Sequence, residues 1–171
     1  MKATLQLDKY ARDAESWWQN ARINFDASRV LFTHENSIML CFPAATLGHH
    51  ALEALLKAAL IRTGCAVFDP MKTRHLDPAS GITAAECVWG HSLVELAQKL
   101  DLRRTDFDLA ASLDITRFGD PMSIQAGLEL FDPFFSEMRY PQALDKFESL
   151  GPDDIVLLSL LFSEIEPFAR P

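Results

Sequence analysis

The sequence predicts an all-α protein, an up-and-down bundle of four to five main helices with short extra helices in the connections. Apolar residues recur at helical spacing along much of the chain, whereas the alternating β-branched runs typical of strands are almost absent. Of the 171 residues, 49% are hydrophobic and 23% are charged, which is the composition of an ordinary globular protein. A chain of this length predicts a single domain that spans residues 1–171.

The first helix is predicted over residues 8–33. Its apolar positions, among them Trp17, Ala21 and Phe25, recur at roughly helical intervals. We assign Trp17 and the other aromatic residues of this helix to the core or to a dimer face rather than to a stacking platform. The first helix is therefore expected to be structural.

The second helix lies within residues 42–62 and is apolar around most of its circumference. It is predicted to begin after Pro43, because proline is tolerated in the first turn of a helix, and to end at Gly64. A helix that is apolar all round belongs inside a bundle. Its few polar side chains are therefore the first place to look for a functional site.

The remaining elements are shorter. Residues 65–90 form a long connection with room for a short helix around 83–87, and a third helix covers 91–100 with its leucines on one face. Further short helices are predicted over three segments, 107–113, 122–131 and 134–138, with Asp132 as the N-cap of the third. The last helix begins at 151–154 and is expected to end by about Glu166, because Pro167 disfavours a helical residue before it.

Charge and cysteine content limit the function classes. The net charge is −8, whereas a protein that grips nucleic acid non-specifically is expected to be basic. The three cysteines, Cys41, Cys65 and Cys87, lack metal-ligand spacing, and the N-terminus lacks the apolar stretch of a secretory signal. We therefore expect a cytoplasmic protein with free thiols and no membrane association.

Polar side chains form a ridge along the second helix. His49, Glu53 and Lys57 are spaced four residues apart and so lie on one side of it, with His50 further round. One interpretation is a pocket in which a histidine shuttles protons and the lysine contacts a phosphate. The alternative is a solvated edge, or a His–Glu–Lys chain whose members satisfy one another.

A metal site on this ridge is a further hypothesis. His49 and Glu53 could share an ion, but adjacent His49 and His50 point about 100° apart on a helix and do not easily do so. No third ligand can be identified from the sequence. We therefore predict no metal and no cofactor.

Two other places are candidate sites. His91, at the start of the third helix, has either a neutral structural role or a role in the site. Arg139, beside Tyr140, could clamp a phosphate or carboxylate with its planar guanidinium. The alternative is that Arg139 pairs with a nearby acid and Tyr140 packs on the bundle.

Three segments together resemble the HEPN family (higher eukaryotes and prokaryotes nucleotide-binding domain). They are Leu-Gly-His-His-Ala-Leu-Glu-Ala-Leu-Leu-Lys-Ala at 47–58, Gly-His-Ser-Leu-Val-Glu-Leu at 90–96 and Glu-Met-Arg-Tyr-Pro at 137–141. The resemblance implies a helical bundle, commonly a homodimer, in a family that includes RNase toxins paired with nucleotidyltransferase antitoxins. Nuclease members carry an Arg followed four to six residues later by a His, and no histidine follows Arg139 at that spacing.

The resulting hypothesis is a HEPN-like module that binds or acts on RNA or a nucleotide. If it is an enzyme, the resemblance implies a metal-independent ribonuclease in which Arg139 stabilises the charged transition state. The alternative is a catalytically silent homodimeric interaction domain. Both hypotheses depend on contact between the polar side of the second helix and the Arg-Tyr-Pro segment at 139–141. The candidate ligand-binding residues are Arg139, Tyr140, His49, His50, Glu53, Lys57 and His91.

Overall fold

A computed structural model of the chain describes residues 13–67, 87–88, 90–134 and 151–171. This part of the chain is mostly helical, as the sequence predicts. It contains five α-helices: α1 (Ala14–Phe32), α2 (Ser37–Arg62), α3 (Leu93–Asp101), α4 (Ile124–Phe131) and α5 (Asp154–Ala169). A single 3-10 turn, Asp132–Phe134, continues α4.

Helix α2 is the structural centre. It packs against each of the other four helices, and every residue from 51 to 60 is buried. The prediction that an apolar helix occupies the interior is thus confirmed. Within the described residues, no helix is both long and apolar enough to cross a bilayer.

Helices α1 and α2 form an antiparallel hairpin joined by residues 33–36. Asp13 caps α1, since its Oδ1 accepts a hydrogen bond of 3.1 Å from the backbone N–H of Glu15. Further along, the buried hydroxyl of Ser28 donates to the carbonyl oxygen of Ala44 at 2.7 Å, which links the two helices. Helix α1 ends at Phe32, one residue from the prediction, and the predicted residues 8–12 lie outside the described part.

The predicted start of α2 is wrong. The helix begins at Ser37, and Pro43 lies inside it although proline cannot donate the i→i−4 hydrogen bond. The short connection brings this first part of the helix directly onto α1, where Cys41, Ala44 and Ala45 are buried. Tertiary packing therefore outweighs the lost hydrogen bond. The other end agrees with the prediction, because Gly64 follows the helix with a φ of +84°.

The connection after α2 contains a small parallel sheet of β1 (Ala66–Val67) and β2 (Cys87–Val88). Of the helix predicted at 83–87, only Cys87 is described, and it is in a strand. Helix α3 then begins at Leu93 rather than at the predicted His91, with the hydroxyl of Ser92 as its cap.

Asp132 has a role that the sequence did not indicate. It was predicted to cap a helix that follows it, but its carboxylate instead caps α3 from a distance. Oδ1 accepts from the backbone N–H of Leu93 at 2.5 Å, and Oδ2 accepts from the hydroxyl of Ser92 at 3.0 Å. Of the helix predicted at 134–138, only Phe134 is described.

Residues 112–123 form a β-hairpin, and the helix predicted over 107–113 is wrong. Strand β3 (Ser112–Arg117) pairs antiparallel with β4 (Asp120–Ser123) around the two-residue turn Phe118-Gly119. Both turn residues have positive φ, +52° and +92°, which matches the twist that tight hairpins require. Leu113 and Met122 are buried, so the hairpin covers part of the core.

Helix α5 begins at Asp154, as predicted, but runs past Pro167 to Ala169. The predicted end at Glu166 is therefore wrong. The Nε of Arg62 donates to the carbonyl oxygen of Ala169 at 2.7 Å, which holds this end against α2. At the other end, the carboxylate of Asp154 pairs with Arg117 of the hairpin.

Candidate functional site: a carboxylate at the centre of a histidine–lysine cluster

Glu53 lies in the middle of α2, and its side chain is only 8% exposed. Its Oε1 is 2.5 Å from Nζ of Lys57 and 3.1 Å from Nδ1 of His91. Its Oε2 is 3.5 Å from Nε2 of His49 and 3.8 Å from Nδ1 of His50. The two oxygens therefore have separate sets of neighbours. We call these five residues the Glu53 cluster.

The charge on Glu53 is set by two opposed effects. Burial raises the pKa of the carboxyl group, because a low-polarity environment disfavours its charged form. Polar contacts with His49, His50 and Lys57 act in the other direction and prevail, so the pKa lies well below its usual range. Glu53 is therefore a carboxylate at neutral pH.

His49 is completely buried and is held by two helices. Its Nδ1 lies 3.0 Å from the carbonyl oxygen of Phe131, at the end of α4. A carbonyl oxygen only accepts hydrogen bonds, so Nδ1 carries the proton and donates it. The other ring nitrogen, Nε2, faces Oε2 of Glu53.

Lys57 contacts both the carboxylate and an aromatic ring. Its Nζ is 5.1 Å from the centre of the Trp17 ring, within the range of a cation–π interaction. The ammonium group is therefore held between α1 and Glu53.

His50 and His91 form the exposed side of the cluster, with side chains that are 41% and 51% exposed. His91 reaches Glu53 from the segment before α3. Gly90, with a φ of +89°, sets the path of this segment, and Asp132 caps the helix that follows.

A small pocket lies beside the cluster, where α1 faces α2. It has a volume of about 180 Å³ and is lined by Trp17, Asn20, Asn24, His50, Glu53 and Ala54. The three α1 residues are spaced i, i+3 and i+7, so they share one face of that helix. This spacing was a visible signal, but the sequence interpretation assigned Trp17 to the core or a dimer face. Trp17 does pack on the core, and it also lines the pocket.

The structure thus brings five of the seven predicted site residues together. The interpretation of the ridge as a solvated edge is wrong, since His49, Glu53 and Lys57 are buried. The alternative of a chain whose members contact one another agrees with the distances above. Arg139 and Tyr140 lie outside the described residues, as does their predicted meeting with α2.

The expectation that His49 and His50 diverge too far to share an ion is also wrong. One ligand atom each from His49, His50 and Glu53 can be chosen so that all three lie within 4.8 Å of one another. Although the two rings are nearly perpendicular, at 85°, both reach the same carboxylate oxygen. His50 is thus the possible third ligand, beside His49 and Glu53, that the sequence did not reveal.

Comparisons with known proteins give no relative from which a role could be transferred. No family model matches the chain, and neither the curated proteins nor the solved structures contain a significant match.

Proposed function

We propose that this chain is a HEPN-like helical module that binds a nucleotide or a short segment of RNA beside the Glu53 cluster. The observation that carries the proposal is the pocket between α1 and α2. There Trp17, Asn20 and Asn24 face His50 and Glu53.

The chemistry of the pocket suits a nucleotide. An aromatic side chain such as Trp17 offers a surface on which any base can stack. Nδ2 of Asn24 donates to Oδ1 of Asn20, and the remaining amide donors and acceptors of these two residues are of the kind that pair with base edges. His50 and His91 are partly exposed and, when protonated, donate hydrogen bonds to phosphate.

The size of the pocket limits what it holds. Its volume of about 180 Å³ lies below the range of roughly 300–1,000 Å³ that is typical for whole drug-sized ligands. One base or one phosphate group therefore fits better than an entire dinucleotide. The net charge of −8 also favours such a local pocket over an extended track along an RNA backbone.

The proposal includes the finer features that the resemblance implies: an up-and-down bundle and a phosphate contact from Arg139. If RNA is cleaved, Arg139 stabilises the transition state and no metal takes part. The test is incubation of the protein with total RNA, with and without EDTA. Cleavage that persists in EDTA and is lost in Arg139→Ala supports the enzyme, whereas intact RNA at high protein concentration supports binding alone.

Ligand binding itself is tested with a thermal-shift screen of nucleoside monophosphates, run with and without EDTA. A ligand at about 100 times its Kd stabilises the native state by about 2.7 kcal/mol. For a chain of this size, the midpoint then rises by about 5–10 °C. Free nucleosides and ribose phosphate separate recognition of the base from recognition of the phosphate. If no nucleotide raises the midpoint in either buffer, the proposal is wrong.

A matched pair of variants locates the binding. Asn20 and Gln19 are adjacent and exposed on α1, but only Asn20 lines the pocket. Asn20→Ala is expected to weaken binding at least about fivefold, the equivalent of one hydrogen bond, while Gln19→Ala leaves it unchanged. Equal effects of the two variants would place the ligand elsewhere.

A second candidate is the catalytically silent homodimer, which the resemblance also implies, alone or with a nucleotidyltransferase partner. Four apolar side chains of α1 and of the first turn of α2 favour it, because each is more than half exposed: Ile23, Val30, Ile38 and Met39. Sedimentation of the wild-type chain and of Ile38→Asp tests the dimer. A dimer that dissociates in the variant supports this interface, and a monomeric wild type excludes it.

A further inference from the structure

We propose that His49, His50 and Glu53 form a binding site for one transition-metal ion of the Zn²⁺ type. The donor atoms are Nε2 of His49, Nδ1 of His50 and Oε2 of Glu53. The site shares His50 and Glu53 with the proposed nucleotide pocket, but it needs no nucleotide, because all three ligands are side chains of α2.

The spacing of the donor atoms suits a metal ion. In a tetrahedral zinc site with bonds of about 2.1 Å, neighbouring ligand atoms are about 3.4 Å apart. The His49–Glu53 and His50–Glu53 distances, 3.5 and 3.8 Å, are close to this value. They are longer than the 2.7–3.2 Å or so of ordinary N–H···O hydrogen bonds. The gap therefore suits a cation better than a shared proton.

The orientation of the His49 ring also suits a metal ligand. Its Nδ1 donates to the carbonyl oxygen of Phe131, and Nε2 on the other side of the ring faces Oε2 of Glu53. Histidines that bind metals commonly donate their other ring N–H to a carbonyl or carboxylate in this way.

The two carboxylate oxygens of Glu53 have different roles. Lys57 and His91 contact Oε1, so Oε2 remains directed at His49 and His50. Lys57 also lies against the ring of Trp17. Its positive charge is thus held on the side of the carboxylate away from the proposed ion.

Access and metal type follow from the same residues. The side chain of His50 is 41% exposed and lines the pocket, so an ion can enter there and take water as a fourth ligand. Two imidazoles and one carboxylate are donors for zinc and its neighbours rather than for Mg²⁺ or Ca²⁺, which prefer oxygen.

The test is isothermal titration of the metal-free full-length chain with ZnCl₂, without any nucleotide. We expect one equivalent to bind, and Co²⁺ to give the intense visible absorption of a tetrahedral centre. His50→Ala removes a partly exposed ligand with little risk to folding. It should weaken Zn²⁺ binding at least about 100-fold, because loss of a residue that only hydrogen-bonds a metal ligand already costs about 10–100-fold. His34→Ala is the matched control, since His34 is an exposed histidine in the α1–α2 connection.

Two further variants distinguish a bound metal ion from a bound phosphate. Lys57→Met removes the positive charge that contacts the other oxygen of Glu53 and should tighten Zn²⁺ binding, whereas it should weaken the binding of a phosphate. His91→Ala should keep the one-to-one stoichiometry, because His91 contacts the other oxygen. Failure to bind one equivalent, or equal affinities for the wild type and His50→Ala, would overturn the metal site. Nucleotide binding in EDTA is measured separately and can succeed or fail by itself.

Discussion

The Nδ1 atom of His49 lies 3.0 Å from the carbonyl oxygen of Phe131, 82 residues further along the chain. This contact joins the middle of α2 to the end of α4. The next residue, Asp132, caps α3 and so steadies the segment that carries His91. The two residues at the end of α4, Phe131 and Asp132, therefore orient two of the three histidines in the Glu53 cluster.

Substitution of His49 should destabilise the fold. His49→Ala empties a fully buried position and leaves the Phe131 carbonyl without its donor, so the free energy of unfolding should fall by about 3 kcal/mol. Urea denaturation followed by circular dichroism measures the change. The exposed control His34→Ala loses only the exposed hydrogen bond from the backbone N–H of Asn36 to Nδ1 and should cost no more than about 1 kcal/mol. A similar small effect for both variants would contradict a structural role for the contact.

The low pKa of Glu53 predicts a specific dependence of stability on pH. Its folded-state pKa lies below the ordinary value of 4.5, so its contribution is complete above about pH 4.5 and is lost as the pH falls towards the folded-state value. The difference in urea midpoint between the wild type and Glu53→Gln should therefore be large at pH 7 and smaller at pH 3.5. For Glu164→Gln, at an exposed position on α5, the difference in urea midpoint from the wild type should be the same at both pH values.

Loss of the distant cap should weaken α3. Asp132→Ala removes the acceptor for the backbone N–H of Leu93 and for the hydroxyl of Ser92, at a cost of about 1–2 kcal/mol in unfolding free energy. Amide hydrogen exchange should also become faster at the start of α3. The exposed strand residue Asp114 provides the control, and an Asp114→Ala variant with the same loss would show that the cap is not the cause.

The tip of the hairpin offers a stabilising change. Phe118 is 85% exposed and has a φ of +52°, a conformation that side chains with a Cβ disfavour and asparagine tolerates best. Phe118→Asn should raise the unfolding free energy by about 1 kcal/mol, measured by urea denaturation. Gly119→Ala, at a φ of +92°, should lower it by a comparable amount. The prediction is refuted by a Phe118→Asn protein that is no more stable than the wild type.

Local signals predicted the parts of the fold that local interactions control. The apolar character of α2, the end of that helix at Gly64 and the leucine face of α3 were all visible in short windows of sequence. The errors in the predicted start of α2 and the predicted end of α5 have a common cause, namely contacts between segments that are far apart in the sequence. Because its first turns pack on α1, helix α2 begins before Pro43. The contact between Arg62 and Ala169 accompanies the extension of α5 past Pro167.

The hairpin was missed for a different reason. Leu113 and Ile115 alternate as strand residues should, but Phe118 is not a turn residue and Pro121 is unfavourable in a strand. In the candidate site, the four-residue spacing correctly grouped His49, Glu53 and Lys57. Their burial, and the separate neighbours of the two carboxylate oxygens, depend on α3 and α4 and could not be read from α2 alone.

The central position of α2 has a consequence for biosynthesis. Ribosomes deliver the chain from its N-terminus, so α2 leaves the exit tunnel while α3, α4 and α5 are still to be translated, and of the described helices α1 alone can then cover it. During that interval a long, nearly all-apolar helix is open to chaperones and to other nascent chains. Slow or interrupted translation after Arg62 should therefore favour aggregation far more than the same pause after Phe131.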